Sequence, residues 1–267
     1  MRIIRFIDDA GAIRFGHDHT NGSAALLDGR SPFELRPTSG RATVQRLLAP
    51  IQPAAILCIG LNYRKHAEEG GHPIPDKPVL FMKNPASLND PGRPIVLPRS
   101  CVDPLQVDYE CELAVVIGRA AKNVSPERAL DYVLGYTAAN DVSARTWQKQ
   151  GGGGQWVRGK SFDTFCPLGP VLVTADELTD PQALSISTRL NGQVMQQAHT
   201  SDMIFPVAEL IAQLSCGMTL LPGTVILTGT PSGVGVARTP PVFLKPGDTV
   251  EIDIERIGTL SNPVEAE

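Results

Sequence analysis

The chain is predicted to be mostly β, of the α+β class, and to fold as a roll or sandwich. Three observations carry that expectation. Glycine (25) and proline (23) are too frequent among 267 residues for a helical bundle, yet apolar runs separate these breakers, which favours turn-rich β structure over disorder. The runs are short and rich in β-branched residues. They do not alternate with helices at the spacing of a doubly wound sheet.

In chain order, Arg2–Ile7 and Ala12–Phe15 read as short strands around Asp8-Asp9-Ala10-Gly11, and Arg41–Leu48 as a short helix stopped by Pro50. The texture changes near residue 53. Residues 1–52 are therefore expected to form a small N-terminal α/β appendage, and residues 53–267 the main domain. Ala54–Gly60 is an apolar strand entering a polar helical turn. Further strands are expected near 79–82, 95–97, 107–117, 169–173, 184–190, 224–228 and 248–254. Ser125-Pro126-Glu127 starts a helix leading into Arg128–Gly135, with Ser as cap and Pro at the first helical position. Pro206 starts an amphipathic helix through Leu214, and Asn191-Gly192 marks a hairpin.

Composition narrows the function classes. A net charge of −4 without a Lys/Arg cluster disfavours nucleic acid and anionic membranes as partners. No apolar stretch approaches the ~18–20 residues that cross a bilayer, and the first residues lack a signal-peptide core. A cytoplasmic protein is expected. Five scattered cysteines without a CxxC pair argue against a zinc knuckle or a disulfide scaffold.

Glu110 and Glu112 are the most informative residues. In a strand over 107–117 they point the same way, about 6.5–7 Å apart, and Asp108 shares that face. Like charges on one face repel, so either the face is open to water or a cation neutralises it. Asp141, in Asn140-Asp141-Val142-Ser143, is a third carboxylate at a strand end. Three carboxylates would make an oxygen-only site suited to Mg²⁺ or Mn²⁺; alternatively Asp141 caps a helix over Val142–Gln148. His66 and Glu69 lie at i,i+3 if a helical turn begins near Tyr63, and a carboxylate on an imidazole suits a general base. Gly70-Gly71, Pro73 and Pro75 would let that piece move as a lid. A plain surface ion pair is the alternative. Lys160, among aromatic and apolar residues, needs an anion, either Asp163 or a substrate carboxylate. The run Gly151–Gly154 is no dinucleotide fingerprint, because no strand precedes it and no helix follows. Thr228-Gly229-Thr230-Pro231 closes a strand with a hydroxyl-rich loop able to aim N–H groups at an anion, or to serve as a tight turn. His17 and His19 suggest a metal pair without a third ligand.

Taken together, five segments resemble the fumarylacetoacetate hydrolase family, particularly its domain-containing members and the bacterial hydrolases of diketo acids. They are Gly60-Leu61-Asn62-Tyr63 with His66, Asp108–Leu113, Asn140–Arg145, Gly159–Asp163 and Thr228–Pro231, in the family's order. The resemblance implies the family's mixed β-sandwich roll, usually dimeric, behind a small variable N-terminal domain. It implies Mg²⁺ or Mn²⁺ on Glu110, Glu112 and Asp141, a water-activating dyad of His66 and Glu69, and an active-site lysine at Lys160. Gln148, Thr230, Gly229 and Asn62 fall in the substrate-binding set. Leu61 departs from the pattern, since several relatives carry a substrate-contacting Arg there.

The implied activity is metal-dependent hydrolysis of the C–C bond of a 2,4-diketo acid of acylpyruvate or fumarylpyruvate type, the metal stabilising the enolate that leaves. The same apparatus would serve oxaloacetate decarboxylation or isomerisation of a 2-hydroxyhepta-2,4-diene-1,7-dioate-type acid. A catalytically idle 2-oxo acid binding protein is the reading from another class. The partner expected is a small 2-oxo or diketo acid, with a homodimer as the assembly.

Overall fold

Apolar runs cut short by glycine and proline cannot close several helical turns, so their backbone groups are satisfied in ladders instead. The computed structural model, which describes residues 1–101 and 104–267, has nineteen strands and five short α-helices among them. The first five strands are β1 (Arg2–Ile7), β2 (Ile13–Thr20), β3 (Ser23–Asp28), β4 (Arg36–Thr43) and β5 (Arg46–Leu48). β1 pairs with β2 and β5, β2 with β3, and β3 with β4, all antiparallel. The helix expected over Arg41–Leu48 is therefore replaced by strands. Arg41, Ala42 and Thr43 alternate in exposure with period two and pair with Ser23–Ala25, whose open edge needs hydrogen-bond partners.

The rest of the chain runs β6 (Ala55–Gly60), α1 (Arg64–Glu69), β7 (Val79–Lys83), β8 (Leu88–Asn89), β9 (Ile95–Leu97), β10 (Val107–Asp108), β11 (Cys111–Ile117), α2 (Pro126–Ala129), β12 (Val133–Asn140) and β13 (Ser143–Ala144). It continues with α3 (Arg145–Lys149), α4 (Val157–Lys160), β14 (Cys166–Thr174), β15 (Ser185–Leu190), β16 (Gln193–His199), α5 (Val207–Ser215), β17 (Thr224–Leu227), β18 (Thr249–Ile254) and β19 (Gly258–Ala266). The large sheet has the order β4-β3-β2-β1-β14-β12-β11-β17-β6-β7. Because β1 pairs with β14 through Arg2↔Val173 and Ile3↔Leu172, the N-terminal strands continue the sheet of the main body. A second sheet, β16-β15-β18-β19-β9, packs on it, and β10 with β13 forms a separate two-stranded piece.

β11 sits at the heart of the large sheet and is buried throughout. Its pleat divides its residues. Cys111, Leu113, Val115 and Ile117 belong to one apolar core, and Ala114 and Val116 to the other. Glu112 has the parity of Ala114 and Val116.

Two more expectations need correction. The helix expected through Gly135 stops at Ala129, and Val133–Asn140 become β12. A Cβ at position 135 would lie 2.3 Å from the Val173 carbonyl oxygen, so glycine there permits close approach of β12 to β14. The single strand expected over 107–117 breaks at Tyr109 and Glu110. The Asn191-Gly192 hairpin forms as read, both residues having positive φ (52° and 80°) between β15 and β16.

Candidate active site

The register of β11 on β12 assembles the acidic cluster. Cys111 faces Asn140 and Glu112 faces Ala139. Just beyond the ladder the Glu110 N–H donates to Asn140 Oδ1 (3.0 Å) and the Asp141 N–H to the Glu110 carbonyl (2.9 Å). One carboxylate oxygen from each of Glu110, Glu112 and Asp141 then lies within 4.8 Å of the others, and all three residues are buried.

Cations surround two of these acids. Lys160 Nζ lies 2.7 Å from Glu110 Oε2 and 2.8 Å from Asp141 Oδ2. Lys83 Nζ donates to Asp141 Oδ1 and to the Val142 carbonyl. Arg145 donates to Asp108 Oδ2 through Nε (2.9 Å), and its Nη1 is 2.7 Å from Glu110 Oε1. Among the described residues Glu112 has no cation of its own; its Oε2 accepts the Gly229 N–H at 2.6 Å. Burial pushes the Glu110 carboxyl up, but Lys160 and Arg145 outweigh it and hold the group down at about 2. Burial, then the charges of Asp141 and Glu110, raise Glu112 well above the usual carboxylate range. Burial would lower Lys160, but Asp141 and Glu110 raise it, so it stays an ammonium. Four carboxylates, counting Asp108, thus meet three cations. Glu112 can ionise only against a shortfall of positive charge, and a divalent cation beside the three converging hard oxygens would fill it.

Glu110 and Glu112 floor a cavity of about 430 Å³ whose lining includes Leu61, His66, Gln148, Trp156, Lys160 and Thr230. His66 and Glu69, both on α1, approach to 3.4 Å between Nδ1 and Oε2. The Gly233 N–H donates to both Glu69 oxygens, tying α1 to the loop after β17. Burial raises Glu69, but the His66 and Gly233 contacts outweigh it and lower it. Gln148 Oε1 accepts from Arg145 at 3.0 Å. Leu61 holds a left-handed φ of 53°, uncommon for a branched side chain, at the cavity wall.

Other expected residues stand elsewhere. Asn62, expected on the substrate, is fully buried and does not line the cavity. Its amide donates to the Phe205 and Thr228 carbonyls and accepts the Phe205 N–H, strapping two loops together. Gly229 acts through its N–H on Glu112, behind Thr230. Lys160 pairs with Glu110 and Asp141 rather than with Asp163. It ends α4, so a short helix does follow the glycine run. Asp108 leaves the shared face to accept the Gly235 and Val236 N–H groups as well as Arg145. Asp141 precedes α3 without capping it, since Ala144 is the cap. His17 rests against Asp18 at 3.0 Å, and among the described residues the group able to hold a metal is the acidic triad.

Lys83 was missed, although a signal existed. It ends Val79-Leu80-Phe81-Met82-Lys83, where Phe81 and Lys83 share the inward parity while Leu80 and Met82 face out.

Residues 55–265 match the family described as Fumarylacetoacetate (FAA) hydrolase C-terminal. A Xenopus laevis protein named Oxaloacetate tautomerase fahd2, mitochondrial, is 52% identical over 244 residues, covering 91% of this chain and 76% of that protein. The solved 5-carboxymethyl-2-hydroxymuconate delta-isomerase from Mycobacterium smegmatis superposes with a TM-score of 0.86 at 40% identity, over 100% of both chains. Fumarylacetoacetate hydrolase from Exiguobacterium antarcticum gives 0.84 at 37% identity, again over 100% of both. The cytoplasmic expectation is overturned here, because the Xenopus relative is named as mitochondrial. Among the described residues no helix is long and apolar enough to cross a membrane, and composition does not tell one aqueous compartment from another. The matched segment, the triad and these likenesses lead to one conclusion: this chain belongs to the fumarylacetoacetate hydrolase family.

Proposed function

We propose that the protein is a Mg²⁺- or Mn²⁺-dependent tautomerase of a 2-oxo dicarboxylic acid of the oxaloacetate class, interconverting its enol and keto forms. The observation that carries this reading is the buried triad of Glu110, Glu112 and Asp141, of which the two glutamates line a cavity, with the Lys160 ammonium bridging Glu110 and Asp141. The name of the Xenopus relative directs it to oxaloacetate rather than to diketo acid cleavage. A divalent ion on the three carboxylates would supply Lewis acidity to the adjacent oxygens of a 2-oxo acid, favouring its enolate.

The chain's own residues account for the proton transfer. In ketonisation the enol O–H proton leaves, the C2=C3 electron pair takes up a proton at C3, and C2–O becomes a carbonyl, so no bond between carbons breaks. Lys160, held as an ammonium, serves as a fixed positive charge beside the developing enolate and not as the base. His66, oriented by Glu69 at the cavity wall, is the proton carrier for C3. Gln148 and Thr230 hold the outer oxygens.

Hydrolysis of an acylpyruvate is the second reading. It is favoured by the same His66–Glu69 pair, which could instead deprotonate a water, and by the likeness to the Exiguobacterium hydrolase. The two separate in one assay. Purified protein with Mg²⁺ is given enol-oxaloacetate, followed by loss of enol absorbance, and in parallel an acylpyruvate, followed by release of pyruvate. Faster ketonisation that chelator abolishes, with no pyruvate release, is the expected outcome. Pyruvate release with unaccelerated ketonisation would overturn the tautomerase reading in favour of the hydrolase.

A further inference from the structure

Thr230 lines the cavity, and its hydroxyl is held from behind by a residue that touches neither the cavity nor the acidic cluster. Gln196, on β16, is 1% exposed and spans the gap between the second sheet and the loop after β17. Its four contacts admit one orientation of the amide. The Cys111 N–H, which can only donate, lies 3.0 Å from Gln196 Oε1, and the Thr188 hydroxyl donates to the same oxygen at 2.7 Å. The Pro231 carbonyl, which can only accept, lies 2.9 Å from Nε2. The second Nε2 hydrogen therefore goes to Thr230 Oγ1, 2.8 Å away. A hydroxyl that accepts from behind keeps its own proton for another partner. Among the described residues no protein oxygen accepts it.

We infer that Gln196 is a positioning residue that polarises Thr230, turning its O–H into the cavity as a dedicated donor to an anionic oxygen of the substrate. The same logic holds across the cavity. Gln148 Oε1 is taken by the Arg145 guanidinium, which can only donate, so the Gln148 NH₂ is left to face the ligand. With Lys160 these groups present donors alone, and the ligand they select is rich in acceptors, with an ionised carboxylate and not an amide or alcohol at its outer end. The inference rests on the proposed 2-oxo acid reading for its choice of ligand, but the polarity of the hydroxyl does not.

A double-mutant cycle with oxalate as probe, titrated calorimetrically into Mg²⁺-loaded protein, tests it. Thr230→Val and Gln196→Met are each expected to weaken oxalate by roughly tenfold or more, the size of a lost hydrogen bond to a charged group. The double variant should be no weaker than Thr230→Val alone. Thr188→Val, which loosens Gln196 without touching Thr230, should lower the melting temperature and leave oxalate affinity within about twofold. Additive losses would overturn the inference, as would a Gln196→Met protein that binds like wild type, or a Thr188→Val loss as large as that of Gln196→Met. If wild type binds no oxalate, the 2-oxo acid reading fails instead, and nuclear magnetic resonance of the ligand-free protein decides the rest. Gln196 side-chain amide protons that exchange slowly and shift in Thr230→Val support the polarity; fast exchange or no shift overturns it.

Discussion

At the floor of the cavity Lys160 lies 2.7 and 2.8 Å from two buried carboxylates, whereas at its wall His66 and Glu69 approach only to 3.4 Å and stay partly exposed. The floor is built from β11 and the end of β12, whose register is locked by seven paired positions. The wall is a six-residue helix that ends at Gly70, fastened to the facing loop through Glu69 and the Gly233 N–H. Charges buried beside a locked strand pair are set to keep their geometry before any ligand arrives, and the partly exposed acid–base pair has more room to adjust. Under the proposed tautomerase reading, the difference suits the floor to charge stabilisation and the wall to proton movement.

Lys160→Met is the harshest way to break that contrast. It leaves Glu110 and Asp141 buried side by side without the cation that bridges them. Removing one partner of such a cluster costs about 3–5 kcal/mol, and that loss is expected in chemical denaturation of the chelated protein. Ketonisation should fall by about 10²–10³-fold, the usual effect of deleting one charge-stabilising donor. A stability loss below about 1 kcal/mol, the range of exposed pairs, would mean the floor is not held by its ion pairs.

Glu69→Gln probes the wall and should do the reverse. The amide oxygen can still accept the Gly233 N–H, and the contact to His66 is long and partly wet, so stability should change by less than about 1 kcal/mol. The rate should nonetheless drop on the order of 10², the lower end of what a positioned acid–base group contributes. A variant that unfolds easily, or one that keeps full activity, would erase the division of labour.

The two regions were unequally legible in the sequence. Glu110 and Glu112 follow from strand parity, and Asp141 stands where an apolar run meets a turn, so local pattern alone brings the triad into view. Parity failed at Asp108, because the strand breaks at Tyr109 and Glu110 and releases Asp108 to Arg145 and two loop N–H groups. Strand parity marks Lys83 as inward-facing, but its partner Asp141 comes from a distant part of the chain; Gln196 sits in a hairpin that is legible locally, yet it meets Thr230 and Pro231 only where the second sheet packs against the loop after β17. The strand β12 was obscured for a related reason. Its Gly135 reads as a breaker, yet is required by contact with Val173, which lies 38 positions away by its number in the chain. Asn62 shows the opposite failure, a polar residue in a functional motif whose amide is spent on holding loops.

The smallest effect expected is the most specific to the floor. Glu112 is raised by burial and by Asp141 and Glu110, so the folded, metal-free protein holds its proton more tightly than the unfolded chain. The stability this contributes is fully present below the unfolded carboxylate value near 4.3 and is lost as pH rises through the higher folded value. Glu110, held at about 2, has the opposite sign and loses its contribution only as pH falls toward that value. Above the ordinary carboxylate range the two can therefore be told apart, because only Glu112 still has a proton to lose. A divalent cation requires Glu112 ionised, so binding expels a proton, and the rise in melting temperature produced by Mg²⁺ should grow with pH. Glu112→Gln removes the titrating charge. It should raise the metal-free melting temperature at pH 8 by about 2–4 °C, the shift that 1 kcal/mol gives at this size, and abolish the pH-dependent response to Mg²⁺. A Mg²⁺ shift equal at pH 6 and pH 8 in the wild type would mean that Glu112 is already ionised without metal, and that the floor tolerates one carboxylate more than Lys83, Arg145 and Lys160 can balance.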